Sequence, residues 1–243
     1  MPDSSRCVKS LYPHLLKKEA PHDTRPAMND RELSKGQKTA VKILEAAARC
    51  VAKIGAEKTS ITAIAHEAKL KRSLIAYHFP KKEDIFYHVM KHIMVQFGRS
   101  YLPSRPKISP APKQEKQDLL NLISAYMDYF QTYPHYFHCY LHCFYLASVH
   151  EHYKQLNTRI LRRIIIRIQS KIKALTEAEN LNVPMRDMED FANIIYSNLL
   201  GTIMSYYTVI QDRPYEEYKK HGMQILFTEI DLFLERAKTH LHL

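Results

Sequence analysis

Glycine is scarce in this chain. Five occur in 243 residues (Gly36, Gly55, Gly98, Gly201 and Gly222), and no two stand close together. A phosphate-cradling GxGxxG or P-loop pattern therefore cannot be written, which removes the main argument for a nucleotide-using enzyme. Strand-like alternation is also hard to find. Apolar residues instead recur at spacings of three and four, which points to an all-α protein. Four cysteines (Cys7, Cys50, Cys139 and Cys143) make neither a disulfide framework nor a CxxC pair, so the expectation is a reduced, cytoplasmic setting. No apolar run approaches the roughly 20 residues of a membrane span, and the N-terminus lacks the long apolar stretch of a secretory signal. No paired catalytic groups stand at a readable spacing, so no enzyme activity, cofactor or metal is expected.

What the chain does have is positive charge in one place. The formal net charge is +11. Residues 34–82 hold eleven lysines and arginines against three glutamates, Glu45, Glu57 and Glu67. Most of the excess thus lies in about a fifth of the sequence. A local basic field of this kind attracts polyanions and steers their approach.

Punctuation divides the chain. Residues 1–33 are polar, carry Pro2, Pro13, Pro21 and Pro26, and read as a disordered tail. Met28 opens a second plausible start shortly before the first strong helix, and the natural protein is expected to begin there. Peptides from residues 1–27, found by mass spectrometry of the native protein, would refute that expectation. Helix one is predicted over about Lys38–Ile54, with a buried stripe of Val41, Leu44, Ala47, Ala48 and Val51 and Gly55 as its C-terminal stop. Ser60 is a good N-cap for a second helix, ITAIAHEA. After the turn Lys69-Leu70-Lys71 comes a third, Arg72–His78, which Phe79-Pro80 ends because a residue before proline avoids the helical region. A fourth runs from near Lys81 to about residue 102. Residues 103–114 read as a linker rich in proline. Five more helices are expected near 115–132, 134–149, 151–180, 187–211 and 214–239.

Two short helices joined by a tight turn, the second basic and amphipathic, describe a helix-turn-helix. This places a DNA-binding domain over residues 34–90 and a helical ligand-binding and dimerisation domain over 115–243. Thr59 and Ser60 offer hydroxyls to phosphate at the start of the second helix. Arg72 can pair bidentately with guanine, and Ser73, Tyr77 and His78 can reach bases, methyls or phosphates. Leu74 supplies apolar contact. Lys71 and Lys82 flank the helix as phosphate contacts.

The segments ILEAAARCVAKIG, TSITAIAHEA and AYHFPKKEDIF, in this order and spacing, resemble the N-terminal domain of the tetracycline-repressor (TetR) family. The resemblance covers about fifty residues, and YHFPKKEDI is its most specific piece. It implies a homodimer on a pseudo-palindromic operator in double-stranded DNA, and a second helical domain whose small-molecule effector alters DNA affinity. The sequence departs from the family pattern at Lys69, where glycine is usual. Lys71 replaces a hydroxyl cap, Ala76 replaces one of a pair of aromatics, and Val51 replaces a core phenylalanine.

In the second half, Tyr126, Phe130, Tyr136, Tyr140, Phe144 and Tyr196 could line an apolar effector cavity. Arg163, in the row Arg159, Arg163, Arg167 and Lys171, could hold an acidic group. His135, His138, Cys139 and His142 share one side of a helix, with i, i+4 pairs that could chelate a metal. The aromatic side must be buried, so this His/Cys side should face outward or toward a cavity. Dense apolar positions on the last two helices (Ile195, Leu199, Ile203, Ile225 and Leu226), with Gly201 and Gly222 among them, are expected at the dimer interface. Two other readings compete with a ligand-released regulator. One is a metal-binding helical enzyme. The other is a DNA-associated protein without sequence preference, which steep salt dependence would betray.

Overall fold

The computed structural model describes residues 33–101, 112–209 and 212–239. Among them are nine α-helices and no strand. These are α1 (Lys35–Lys58), α2 (Ile61–Ala68), α3 (Arg72–His78), α4 (Lys82–Tyr101), α5 (Pro112–Thr132), α6 (Pro134–Val149), α7 (Glu151–Ala178), α8 (Met185–Thr208) and α9 (Tyr215–Thr239). The expected tail falls almost wholly outside the described residues. Helix α5 starts inside the expected linker, with Pro112 at its first position, where a missing N–H costs nothing.

The ends of the helices follow local chemistry. Helix α1 begins three residues earlier than expected because Ser34 and Gln37 form a reciprocal cap. The Gln37 amide donates to Ser34 Oγ (3.3 Å), and the Ser34 amide donates to Gln37 Oε1 (2.9 Å). Gly55 takes φ 77°, ψ 159°, and breaks α1 before its last few residues. Ser60 Oγ accepts the Ala63 amide at 3.1 Å and starts α2.

Two compact units divide the chain and do not follow its linear order. The first takes residues 1–104 and 129–160, and the second takes 105–128 and 161–243. In the first, α1 presents Ala40, Ile43, Leu44, Ala47 and Ala48, all fully buried. Val41, expected in that stripe, is only half-buried. Such small side chains let α6 approach closely, and Cys139 Sγ lies 3.9 Å from the Ala48 carbonyl. In the second unit, Phe191 of α8 stacks on Phe233 of α9 at 4.1 Å. The α8–α9 pair closes tightly at Gly222, where a Cβ would stand 2.9 Å from Thr202 Cγ2.

The first unit holds a polar knot inside this packing. Glu45 of α1 accepts from His92 of α4 at 2.6 Å and from the Tyr136 hydroxyl of α6. His135 Nε2 stands 3.8 Å from its other oxygen. Burial alone would push the Glu45 carboxyl up. The His135, His92 and Tyr136 groups outweigh it and hold the carboxyl well below the usual carboxylate range. A depressed folded-state pKa contributes stability above the ordinary carboxylate pKa, and that contribution disappears as pH falls through the folded-state value. Glu45→Gln is therefore expected to lower the melting temperature at pH 7. Its gap to the native chain should narrow below about pH 4 in thermal melts. A gap that stays constant across that range would show that charge is not what Glu45 contributes.

Candidate nucleic-acid interface

The turn between α2 and α3 is tight because Lys69 adopts the left-handed conformation, φ 53°, ψ 49°. A side chain there costs about 1–2 kcal/mol relative to glycine. The turn is held by two hydrogen bonds that close the end of α2, from the Lys69 amide to the His66 carbonyl (3.1 Å) and from the Leu70 amide to the Ala65 carbonyl (2.9 Å). Lys71 caps α3 without a side-chain hydrogen bond. Its side chain is thereby left exposed beside those of Arg72 and Ser73.

The frame behind this turn is fixed by charge. Glu67 of α2 takes Arg49 Nε and Lys53 Nζ of α1 at 2.8 Å each. The Lys53 and Arg49 hydrogen bonds hold its carboxyl below the ordinary value. Pairs this exposed contribute only about 0.2–1 kcal/mol, so their value here lies in setting the angle of α2 on α1. Helix α3 is anchored by Ile75, His78 and Phe79, all buried.

With that anchor set, the expected contacts sort themselves. Lys71, Arg72, Ser73 and Tyr77 form an exposed row along α3, with Tyr77 at 52% exposure. Leu74 is half-buried beside them, and Ser60 is exposed at the start of α2. Three expected contacts point elsewhere. Thr59 is fully buried and donates its hydroxyl to the Gly55 carbonyl at 2.7 Å, closing the turn after α1. His78 is 4% exposed with its Nδ1 unpartnered, and burial pushes its pKa down, which favours a neutral core histidine. Lys82 turns back to the carbonyl oxygens of Ala56 (2.8 Å) and Glu57 (3.3 Å), its Nζ 5.4 Å from the centroid of the Phe86 ring. The exposed lysine at that corner is Lys81. Sequence chose the second of two adjacent lysines where tertiary structure leaves the first free. Thr62, in the first turn of α2, is also exposed and was overlooked.

The remaining sequence candidates divide between the units. In the first, Phe130, Tyr140 and Phe144 pack on one another at 5.4 and 4.9 Å. Tyr136 is taken by Glu45 rather than by a cavity wall. In the second, Tyr126 is buried, Tyr196 half-buried and Arg163 exposed. The inward cation of the α7 row is Lys171, paired with Asp118 at 2.9 Å. The expected His/Cys side of α6 does not exist as a surface. Cys139 is buried against α1, His142 packs edge-on to Phe86, and His138 alone is well exposed. Among the described residues no three His, Cys, Asp or Glu side chains converge as a metal site. Of the expected dimer residues, Ile195, Leu199, Ile203, Gly222 and Leu226 are buried within their own chain. Only Gly201 and Ile225 are exposed.

Comparison with known proteins gives the same reading. Residues 43–89 match the family model for bacterial regulatory proteins of the tetR family. No curated protein sequence matches the chain. Among solved structures, a transcriptional regulator from Saccharomonospora viridis, determined in complex with choline, superposes with TM-score 0.68 at 17% identity. The match covers 78% of this chain and 95% of that one. A TetR transcription regulator from Haloarcula marismortui gives TM-score 0.68 at 15% identity, over 80% and 97% of the two chains. GusR of Salmonella enterica gives 0.59 at 14%, over 84% and 99%. At these identities the structures show a shared fold, and residues 43–89, which contain the helix-turn-helix, are the part of the chain that matches the tetR-family model of bacterial regulatory proteins.

Proposed function

We propose that this regulator is a homodimeric repressor that occupies a pseudo-palindromic operator, one α3 per half-site, and is released by a small-molecule effector. The exposed row Lys71, Arg72, Ser73 and Tyr77 on a rigidly seated α3 carries the reading. On this reading Arg72 reads a guanine edge, and Tyr77 meets a phosphate or a thymine methyl. Seven residues of helix read few base pairs, and a second copy at a fixed spacing doubles the specificity.

A dimer has a surface available in the second unit. Gly201 weakens α8 by about 1 kcal/mol relative to alanine, and a Cβ there would meet nothing within 4 Å of its own chain. Ile194 and Gly201 lie seven residues apart on the outside of α8, and Ile225 and Leu232 do the same on α9. A second copy packed on this face would use the space that Gly201 leaves and cover those side chains.

Repression works by occupying the operator. An effector that binds more tightly to a dimer geometry unfit for DNA shifts the population away from it. Choline in the Saccharomonospora viridis protein supports a small organic effector. Phe130, Tyr140 and Phe144 in the first unit, and Tyr126, Arg163 and Tyr196 in the second, are the candidates to meet it. A regulator rather than an enzyme also fits the thiols of α6. Burial pushes Cys139 up to about 12 and Cys143 well above its ordinary value, leaving neither as a ready nucleophile or metal ligand. The DNA target and the free, buried Cys50, Cys139 and Cys143 fit a cytoplasmic setting. Among the described residues no helix is long and apolar enough to cross a membrane.

A gel shift on the DNA upstream of its own gene, against random DNA, tests the reading. Arg72→Ala should weaken specific binding by about 1–3 kcal/mol and leave random DNA almost unaffected. Lys81→Ala should lower the salt slope by about one on both DNAs. Lys82→Ala should lower the melting temperature and leave the salt slope unchanged. Equal affinity for the two DNAs in the native chain would make it a non-specific binder.

Sedimentation should show a dimer at micromolar concentration. Gly201→Leu should shift it to monomer without unfolding it, whereas Leu226→Ala should cost about 2–5 kcal/mol of stability. A native monomer would rule out the paired half-site arrangement.

A further inference from the structure

One buried cation in the first unit has no counter-charge. Lys91 of α4 is 3% exposed, yet among the described residues its ammonium meets no carboxylate and no hydrogen-bond acceptor. Its single partner is the Tyr87 ring, with Nζ 4.4 Å from the centroid. Every comparable lysine is satisfied. Lys82 meets two backbone carbonyls, Lys171 meets Asp118, and Lys219 meets both oxygens of Asp128 at 2.6 and 2.7 Å. A ring face compensates only part of the cost of desolvating an ammonium.

The surroundings are also cationic. Tyr87 stacks on His152 of α7 at 4.2 Å and 17°, and meets Tyr153 edge-on at 6.0 Å. Arg159 lies one heptad after His152 on α7, is exposed, and has no ion pair among the described residues. It is near enough to Lys91 and Tyr87 to act on both electrostatically. His88 beside them donates Nδ1 to the Asp84 carbonyl at 2.8 Å, and burial drives its pKa to about 4, so it stays neutral. The acids of the same helix, Glu83 and Asp84, stand about two turns back along α4 and form no ion pair with Lys91 or Arg159.

We propose that Lys91, with Arg159 and His152 at its rim, receives the acidic group of a small molecule, a carboxylate or a phosphate, with Tyr87 as the apolar wall. This deepens the effector reading above and rests on it, because the anion would bring the counter-charge that none of the described residues supplies. Burial and then Arg159 lower the free ammonium to about 8, so it is largely charged near neutrality and loses its charge above that pH.

The test uses the full-length chain without DNA, with inorganic phosphate and benzoate as probes at constant ionic strength and pH 7. Either anion, at about ten times its Kd, should raise the melting temperature by roughly 3 °C, with chloride as the control. Lys91→Met should abolish that shift while itself melting higher than the native chain in anion-free buffer. Lys91→Arg should keep the shift. In the native chain the shift should fade as pH rises past 8. Benzoate alone acting would identify an organic acid, phosphate alone a phosphorylated ligand, and both a general anion seat. Equal shifts in the native chain and Lys91→Met, or no shift with either probe, would overturn the proposal. So would a lower DNA salt slope for Lys91→Met, which would make Lys91 a phosphate contact. Loss of specific DNA binding by the native chain would sink the regulator reading and leave the anion result standing.

Discussion

The Glu45 carboxylate is the constraint on which the first unit depends. It is a half-buried charge in the middle of an alanine-rich helix, and α4 and α6 bring His92 and Tyr136 to it. Removing one partner from such a knot leaves an uncompensated charge, which costs more than the pair itself contributes. The knot therefore forces α1, α4 and α6 into one arrangement. Arg49 extends it, standing 3.9 Å from Glu45 and 2.8 Å from Glu67 of α2. Side chains from α6 to the first helix of the helix-turn-helix thus form a continuous polar chain.

That rigidity has a use at α3. The helix is only seven residues long and could not hold itself together in isolation. Its order comes from Ile75 and Phe79 beneath it, and from a turn fixed by Lys69 in a strained conformation. The strain is small compared with what depends on it. A longer or looser turn would reorient α3 as a whole, and with it the exposed Arg72 and Tyr77. Lysine in place of glycine at this corner adds an exposed charge beside the same face.

Much of this was legible in the sequence where local chemistry decides. Ser60, Gly55 and Phe79-Pro80 set the ends of α2 and α3 within a residue, since caps and proline act on their immediate neighbours. Side-chain direction was less legible. Thr59, His78 and Lys82 look like DNA contacts by type and position, and each is turned inward by a partner distant in sequence or by the core. Cys139 was placed with the histidines by helical geometry, and the α1 alanines drew it into the core instead. On α8 and α9 the strongest apolar positions are their own chain's core, so hydrophobicity pointed to Ile195, Leu199 and Leu226. The exposed stripe is the weaker one containing Gly201 and Ile225. A helix apolar on two sides does not say which side meets a second copy.

Lys91 shows the limit of pattern reading from the other direction. In sequence it is one lysine among many on an amphipathic helix, and the default for such a residue is a stem along the surface with its head in water. Here the packing of α7 beside Tyr87 leaves the side chain only slightly exposed. The consequence can be argued by comparison within the same molecule. Lys171 and Lys219 are partly buried and each has drawn an aspartate, so the chain can supply counter-charges where a cation is enclosed for structure alone. At Lys91 the described residues supply an aromatic face, which compensates in part, and a second cation nearby, which adds to the cost of the charge. A structural role would be served as well by methionine, with less to offset. The arrangement gains a physical rationale once a negative group from outside the chain completes it.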